Sequence, residues 1–375
     1  MSKRIFTVPN NYTTFKCKAG ECTKTCCHGW HITISMREYY ALLGLDCSEE
    51  LRRKLDGGIY LLESPSNERY AEFAKNYFGD CKMHGENGLC TIQCECGEDC
   101  LPSVCRYYPR SPRTFYADEC SVSASCEAVS EMLLKMKEPM TFKQVELDFK
   151  YELPDKRNDF VSECYVDVRK AVIARLQDRT KPFDERIDDV VKLAKLIAPE
   201  MKKNSHDRVN EAIAESCGVN INAENATDVL SVLKRIFARL SERFQIDKYA
   251  ESVNNITDKE YKNKAEKFAS VYPEFDTMAE QLFVNHVFYT GFPFVPEYGA
   301  RFDTYSSATS LALLYAVWKT AVVSCMNDMN FSELVDVTSD IFKMAETSNY
   351  YLCAAVLVRD EGYEPIEKLI SLYRI

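Results

Sequence analysis

No two of the 17 cysteines are separated by two residues, so the chain lacks the Cys-x2-Cys pair with which many zinc sites hold their metal. The spacing Cys-x3-Cys-x2-Cys, common in radical iron-sulfur enzymes, is also missing, because a glycine and a serine stand where a third cysteine would follow Cys26 and Cys100. A glycine-rich dinucleotide fingerprint, a phosphate-binding loop and a Gly-x-Ser-x-Gly motif do not occur, and only 13 glycines are available for such loops. The common nucleotide-binding and hydrolase folds therefore lose support.

A signal peptide, a membrane-length apolar run and an excess of basic residues are missing as well. The opening MSKRIFTVPNNYTTF has no apolar core and no small-residue cleavage site, which favours a cytoplasmic location, where thiols stay reduced. The most apolar stretch, Ser310 to Cys325, is broken by Lys319 and predicts a buried helix rather than a transmembrane segment. The net charge of −10 argues against a nucleic-acid partner.

Cysteine is what the sequence has in excess. Thirteen of the 17 lie between Cys17 and Cys126, and the intervals inside this cluster are loose, as in the eight residues between Cys81 and Cys90. Structural disulfides belong to oxidising compartments and rank last. Loose spacing favours a 4Fe-4S cluster, which takes four thiolates, over a single zinc ion, but spacing alone leaves both open. The remaining cysteines stand singly in helical patterns and are expected to be small buried apolar residues: Cys164, Cys217, Cys325 and Cys353.

Two other groups adjoin the cysteines. His28, His31 and His84 lie beside or between them, and each by itself is expected to be a solvent-facing or hydrogen-bonding residue rather than a ligand. In SVCRYYPRSP, Arg106 and Arg110 flank two tyrosines and a proline directly after a cysteine. Such guanidinium groups are suited to bind a carboxylate or to face a thiolate cluster, with a tyrosine-covered surface turn as the alternative.

The fold is expected to be mainly α. Residues 1–140 mix short strands, turns and short helices and predict an irregular, cysteine-rich, metal-binding domain. Residues 141–375 predict an all-α domain of seven or more helices, with a strand or extended linker over residues 137–154 around the boundary. Six apolar stripes with helical periodicity carry this prediction: Phe160 to Arg175, Ile187 to Ile197, Val229 to Phe244, Met278 to Phe288, Leu311 to Val323 and Phe331 to Met344.

Several motifs together resemble the bacterial flagellin lysine-N-methylases. The likeness lies in FKCKAGECTKTCCHGWHITIS, then in CKMHGENGLCTIQ, in CRYYPR and in SASCEAVSEMLL, and more faintly in QLFVNHVFYTGFPF. The cysteine array is also similar, less specifically, to cysteine-rich domains that chelate zinc or iron. The motifs cover about the first third of the chain and one later segment.

The resemblance implies a cytoplasmic methyltransferase that moves methyl groups from S-adenosylmethionine to lysine side chains of flagellin and depends on a 4Fe-4S cluster. Eight cysteines match by position and are the implied metal ligands, while the cofactor carboxylate is expected at Arg106 or Arg110. Eight thiols exceed what one cluster needs, so three or four are expected to hold it. The matching cysteines are Cys17, Cys22, Cys26, Cys27, Cys81, Cys90, Cys105 and Cys126.

The chain also departs from the family pattern, because five cysteines are extra and allow a second metal or a redox pair: Cys47, Cys94, Cys96, Cys100 and Cys120.

Lysine is an ammonium ion at neutral pH, so polar methyl transfer requires a base, whereas an open iron in the cluster would permit radical chemistry. The candidate bases near the array are Tyr107, Tyr108, Glu95, Glu98 and Asp99. A non-catalytic zinc- or iron-chelating or redox-sensing protein is the alternative function, and a zinc-stapled interaction module is a third. In the helical part, the aromatic residues of NHVFYTGFPFVPEYG are either a contact patch for a protein substrate or buried core.

Overall fold

Seven short strands form two small sheets in the computed structural model, which describes residues 3–149, 153, 160–216, 223–224, 228–294 and 303–374. The first sheet has the order β5-β6-β1-β7, with β1 parallel to β6 and antiparallel to β7. The second has the order β2-β4-β3 and is antiparallel throughout. The strands are β1 (Arg4–Pro9), β2 (Thr33–Ile34), β3 (Ile59–Leu61), β4 (Ala71–Phe73), β5 (Arg110–Arg113), β6 (Glu119–Val122) and β7 (Phe142–Leu147).

Five short helices and three 3-10 turns connect these strands. The first helix begins with a capping box, in which Ser35 and Glu38 exchange hydrogen bonds with each other's backbone amides and so fix the start of the helix. The helices are α1 (Met36–Leu43), α2 (Glu49–Asp56), α3 (Thr91–Cys96), α4 (Ser103–Tyr107) and α5 (Glu127–Lys135), and the 3-10 turns are Asn10–Thr13, Ala19–Glu21 and Glu98–Cys100.

The rest of the described chain is helical. Apolar stripes bury one face of most helices, and α12 and α13 are buried on nearly all sides, as core helices are. The helices are α6 (Phe160–Leu176), α7 (Phe183–Lys202), α8 (His206–Glu215), α9 (Val229–Ser241), α10 (Asp247–Asn255), α11 (Asp258–Val271), α12 (Phe275–Thr290), α13 (Thr304–Cys325), α14 (Phe331–Thr347), α15 (Tyr350–Asp360) and α16 (Ile366–Leu369).

Two hydrophobic cores hold these elements together. The larger one runs from Phe6 on β1 to Tyr373 near the C-terminus and includes β6, α5 and the helices from α6 onward. The smaller one packs β2, β4, α1 and α2 around residues such as Ile34, Leu51 and Phe73, and half-buried cysteines cover its surface. The cysteine-rich segment between residues 27 and 105 therefore has its own core.

The longest helix, α13, is apolar enough over its length to cross a membrane, and 89% of its most apolar window is buried inside the protein. Trp318 on this helix is fully buried and donates its indole N–H to Thr338 at 3.0 Å. The prediction of a buried helix at this position is confirmed.

The mainly α fold and the short N-terminal strands are confirmed. Each of the six apolar stripes lies on one of the helices, and the segment after residue 141 is the strand β7 rather than a linker. Because β7 pairs with β1, contacts cross the predicted domain boundary at residue 140, which stays a prediction. Of the aromatic segment predicted to be either a contact patch or buried core, Phe288, Phe292 and Phe294 are buried, so these three residues belong to the core. Cys217 and residues 295–299 of the aromatic segment lie outside the described residues.

Candidate metal centre

Five of the eight cysteines that match the family motif line one cavity of about 60 Å³, here named the thiol cavity. They come from distant positions in the sequence: a loop before β2, the segments on both sides of His84, and helix α4. Apolar and aromatic side chains, among them Trp30, Phe73 and Tyr108, complete the wall. The five cysteines are Cys26, Cys27, Cys81, Cys90 and Cys105.

Backbone hydrogen bonds bring the loops of the thiol cavity together. The amide of Cys81 donates to the carbonyl of Cys27 at 2.7 Å, next to an isolated bridge between residues 28 and 80. A second bridge joins His84 to Cys90, which closes the loop between those residues into a tight turn. Single bridges of this kind fix the backbone without a long strand. This explains why the sequence of the region shows no extended strand pattern.

Glu38 positions the helix that carries Cys105. One carboxylate oxygen accepts from the backbone amide of Ser103 at 2.7 Å and from its hydroxyl. The other accepts from the amide of Ser35 at 2.8 Å and from its hydroxyl at 2.7 Å. Although burial opposes ionisation, these hydrogen bonds lower the pKa of Glu38. The carboxylate thus ties the start of α4 to the start of α1.

We expect Glu38→Gln to destabilise the cysteine-rich region by about 1.5–3 kcal/mol, the range for hydrogen bonds to a charged group. Trp30 lies in this region and Trp318 in the larger core, so urea unfolding followed by fluorescence in a Trp318→Phe background reports on the region alone. Glu50→Gln is the control, because the Glu50 side chain is 77% exposed and pairs only with Lys54 at 3.2 Å. Equal midpoints for the two variants would contradict the role of Glu38.

The thiols of the cavity differ in electrostatic environment. Burial raises the pKa of Cys81 to about 11 and raises that of Cys105 well above its ordinary value. A hydrogen bond from Cys27, together with the positive charge of Lys343, lowers the pKa of Cys26 to about 7. A bound cation would reverse the effect of burial, because coordinated thiols lose their protons.

Three more of the matching cysteines lie beside the thiol cavity without lining it. Cys17 and Cys126 are near enough to Cys22 for their charges to influence one another, and burial raises the pKa of Cys22 to about 11 and that of Cys126 to about 12. Glu127 accepts from the Thr23 hydroxyl at 2.8 Å and from the backbone amide at position 24 at 2.7 Å, which holds this loop against α5.

The five extra cysteines lie elsewhere. Cys47, Cys96 and Cys100 cover the smaller core as a separate group, in which the Cys96 thiol contacts the Asp46 carbonyl at 3.8 Å. Cys94 is exposed and Cys120 is fully buried on β6. All 16 cysteines in the described part of the chain are free thiols.

The donors of the thiol cavity are the kind that both zinc and a 4Fe-4S cluster accept, since each takes up to four thiolates. Within the described residues, no group of three or more histidine, cysteine, aspartate or glutamate side chains is arranged to hold one metal ion. Five thiols line the cavity, which is more than either group needs, so the donor chemistry fits a cluster and the choice between cluster and zinc stays a prediction.

The two arginines expected at the cofactor carboxylate have protein partners. Arg106 donates to the carbonyl of Glu98 at 3.1 Å and to that of Asp99. The guanidinium of Arg110 stacks over the rings of Tyr12 at 5.8 Å and Phe15 at 5.1 Å. Neither side chain lines the thiol cavity, and their role in cofactor binding stays a prediction.

The three histidines beside the cysteines do not line the thiol cavity either. His28 is hydrogen-bonded to Asp80 at 2.9 Å and His31 to Glu72 at 2.5 Å, and their side chains are 48% and 74% exposed. His84 differs, because its Nε2 atom is buried without a hydrogen-bond partner in the described residues.

A groove of about 1060 Å³ adjoins the thiol cavity, and Trp30 lines both. One side of this groove, here named the charged groove, consists of residues from segments 23–33 and 69–80, and the other of residues from 243–248 and 340–348. Lys343 crosses it by donating to the carbonyl of His28 at 2.5 Å. The charged groove is thus built jointly by the cysteine-rich region and the helices.

Asp340 joins the two sides of the charged groove. Its carboxylate accepts from Lys24 at 3.2 Å and from Lys248 and Tyr249 at 2.7 Å each. Burial opposes ionisation, but the hydrogen bond from Lys248 and the charge of Lys24 lower the pKa of Asp340.

We expect Asp340→Asn to lose about 1 kcal/mol of stability at pH 7, because both paired lysines, Lys24 and Lys248, are partly solvated. A carboxylate with a lowered pKa stabilises the fold above its unfolded pKa of about 3.9, and this contribution disappears as the pH falls through the folded value. Urea unfolding of the apo-protein should therefore separate wild type and variant at pH 7, and this separation should shrink as the pH falls below about 3.9. Asp360→Asn, which breaks an exposed pair with Arg239, is the control, and a difference that stays undiminished down to about pH 3 would contradict the assignment.

The helical part matches the family model described as the FliB lysine N-methylase C-terminal domain, over residues 169–372. This match covers more than half of the chain. The chain belongs to the FliB lysine N-methylase family. The family model includes the helical side of the charged groove and begins after the last cysteine of the cluster.

Individual relatives are similar over shorter stretches. The chain is 29% identical over 140 residues to the flagellar biosynthetic protein FliU of Salmonella muenchen, which covers 36% of this chain and 79% of the relative. It is 27% identical over 150 residues to the lysine-N-methylases of Salmonella typhimurium (strain LT2) and Salmonella choleraesuis, covering 38% of this chain and only 36% of each relative. No solved structure matches the chain.

Of the five candidate bases near the cysteines, Tyr108 alone lines the thiol cavity. Glu95 instead accepts from the Ser48 hydroxyl at 2.9 Å, and Tyr107 packs on the ring of Phe149 at 5.0 Å. Sequence reasoning missed the helical side of the charged groove, because its residues are more than 100 positions away from the cysteine cluster and carry no motif. Its basic residues Arg243, Lys248 and Lys343 stand singly in separate segments and gave no signal beyond a solvated face.

Proposed function

We propose that this chain is a protein lysine N-methyltransferase that transfers methyl groups from S-adenosylmethionine to flagellin and requires a 4Fe-4S cluster at the thiol cavity. Relatives named lysine-N-methylase and a flagellar relative support the reaction and the substrate. The observation that carries the proposal is the convergence of five motif cysteines on one cavity beside a large charged groove. Free thiols in all described cysteines agree with a reducing, cytoplasmic location.

The cluster would be held by three or four of the five cavity cysteines, most of which cover or belong to the smaller core. When bound, it supplies an electron-transfer centre and, at an iron without a protein ligand, a Lewis-acidic position. Trp30 stands between the thiol cavity and the charged groove, with its indole N–H donating to the Cys26 carbonyl at 2.7 Å and its ring 5.5 Å from that of Tyr108. This aromatic wall keeps the thiol side apolar and limits water.

The charged groove would bind the methyl donor and admit the substrate lysine, whose amino group would pass Trp30 to reach Tyr108 in the wall of the thiol cavity. Its volume of about 1060 Å³ is at the upper end for small-molecule sites and leaves room for a side chain besides the cofactor. Lys343 and Arg243 offer positive charge for a carboxylate, while Glu72 and Asp80 on the opposite side offer negative charge for an ammonium group. Binding both reactants in one groove turns a bimolecular step into an effectively unimolecular one.

Anaerobically purified protein should be incubated with flagellin and S-adenosylmethionine carrying an isotope-labelled methyl group, and the flagellin analysed by mass spectrometry. We expect label on lysine ε-nitrogens of flagellin and none on a lysine-rich protein unrelated to the flagellum. Label on both proteins would retain the methyltransferase and remove the flagellin assignment. Stoichiometric iron with no label on either would leave the alternative, a non-catalytic chelating or redox-sensing protein, in place.

A further inference from the structure

A continuous path of hydrogen bonds leads from the thiol cavity into the helical core. The Tyr108 hydroxyl is 2.9 Å from the hydroxyl of Ser125, which is 2.5 Å from that of Ser123. The Ser123 hydroxyl donates to Glu346 on α14 at 2.5 Å. Glu346 is thus connected through two serine hydroxyls to Tyr108 in the cavity wall.

The direction of this path follows from the number of protons. A serine or tyrosine hydroxyl has one proton to donate, and an ionised carboxylate can only accept. Because Ser123 donates to Glu346, Ser125 must donate to Ser123 and Tyr108 to Ser125. Every proton therefore points from the thiol cavity toward the carboxylate, and the Tyr108 oxygen keeps a lone pair with which to accept.

The far end of the path is sealed from solvent. The side chains of Glu346 and His286 are both fully buried and lie 2.9 Å apart. Since the carboxylate is an acceptor, the Nδ1 atom of His286 carries the proton in this contact, and its Nε2 atom contacts the Tyr351 hydroxyl at 2.8 Å. Tyr289, on the same helix as His286, also faces Glu346 and is hydrogen-bonded to Ser123; burial, together with the negative charge of Glu346, raises the pKa of Tyr289 to about 12.

The chemistry at the thiol cavity needs such an acceptor. A lysine ammonium has no lone pair and must lose a proton before its nitrogen can take a methyl group. No carboxylate or histidine lines the thiol cavity in the described residues. Moving a proton from a buried ammonium to a buried carboxylate neutralises two desolvated charges at once, so burial lowers the cost of the exchange.

We propose that the hydroxyls of Tyr108, Ser125 and Ser123 relay a proton from the substrate lysine to Glu346. The proposal rests on the proposed lysine methyl transfer. The ammonium gives one proton to the Tyr108 oxygen, the hydroxyl proton of Tyr108 moves to Ser125, that of Ser125 to Ser123, and that of Ser123 to the Glu346 carboxylate. The lysine becomes a neutral amine with a free electron pair, Glu346 becomes a neutral acid, and each hydroxyl ends with one proton. Once the product has left, the reverse shift returns the proton through Tyr108 to solvent that enters the emptied site.

In this scheme Tyr108 contacts the substrate, whereas Glu346 and His286 act on the substrate only through the hydroxyl path that ends at Tyr108. His286 orients the Glu346 carboxylate, as a positioning residue.

The test compares single-turnover methyl transfer by wild type, Ser123→Ala and Tyr108→Phe between pH 6.5 and 9. Ser123→Ala interrupts the path at its centre, and Tyr108→Phe keeps the ring beside Trp30 while removing only the hydroxyl. Ser130→Ala is the matched control, since it also removes a buried serine hydroxyl, one that donates to the Ala124 carbonyl at 2.6 Å outside the path. Circular dichroism and iron content show whether each variant is folded and loaded.

We expect both relay variants to slow methyl transfer by about 100-fold at pH 7, the lower range for loss of a general base. Their rates should rise about tenfold per pH unit, because below a lysine pKa of about 10.4 the free amine must then come from solution. Wild type and Ser130→Ala should show a weaker dependence, and the affinity for S-adenosylmethionine should not change.

Each outcome decides one of the two proposals. Folded, iron-loaded relay variants with the wild-type rate, or with a reduced rate that does not recover at high pH, would overturn the relay. A wild type that transfers no methyl group at any pH would overturn the proposed function, and the relay with it.

Discussion

Replacing Cys105 by alanine is expected to lower the iron content from about four atoms per chain to less than one and to reduce methyl transfer more than 100-fold. Glu38 fixes the start of α4, the helix that carries Cys105, so this thiol has a defined place in the cavity wall. Burial keeps this thiol protonated in the absence of metal, which makes it dependent on the cluster for its ionised form. Iron analysis, visible absorption and single-turnover methyl transfer measure the result.

Cys94→Ala is the matched control for this variant. Cys94 is exposed on α3, four residues after a cavity cysteine, and lines a shallow surface pocket instead. We expect it to retain iron and activity. Equal iron content in Cys105→Ala and Cys94→Ala would contradict the assignment of Cys105 as a ligand of the cluster.

Glu280→Ala is expected to destabilise the helical core by about 3–5 kcal/mol, the cost of leaving a buried charge without its partner. Glu280 on α12 is fully buried and accepts from Arg179 at 2.8 and 2.9 Å and from Arg186 at 2.8 Å. Arg186 on α7 is itself only 4% exposed, so the variant leaves a desolvated guanidinium group. Urea or thermal unfolding followed by the fluorescence of Trp318 measures the loss.

The control is Glu274→Ala, just before the same helix. Glu274 pairs with Lys137 at 3.1 Å on the surface, with side chains 38% and 61% exposed, and such pairs contribute less than about 1 kcal/mol. A loss below 1 kcal/mol for Glu280→Ala would show that the two arginines find other partners. The comparison bears on function, because α12 also carries His286.

The helices could be predicted from the sequence because the apolar residues that each helix buries repeat at short intervals within that helix. In α7, apolar residues from Ile187 to Ile197 repeat at three- and four-residue intervals, and the structure buries that face. Strand β7 was ambiguous, since an alternating segment becomes a strand only when a partner such as β1 is present. Long-range pairing of this kind leaves no mark in a single sequence.

The candidate site could be predicted in part. The density of cysteines and the order of the motifs indicated a thiol-rich centre, but the choice of five among 13 depends on single-residue bridges such as that between His84 and Cys90. The carboxylate of Glu346 and the imidazole of His286 are 60 positions apart in sequence and meet only through the packing of α14 on α12. Arg110 shows that closeness in sequence does not fix what a side chain contacts, because this cation next to the cysteines in sequence packs over the ring of Phe15, and its role in cofactor binding stays a prediction.

The account depends most directly on what the thiol cavity binds. Elemental analysis of anaerobically purified wild type, combined with a colorimetric assay of acid-labile sulfide, tests this in one preparation. We predict about four irons and four sulfides per chain, lost together in Cys105→Ala. Stoichiometric zinc without inorganic sulfide would contradict the account.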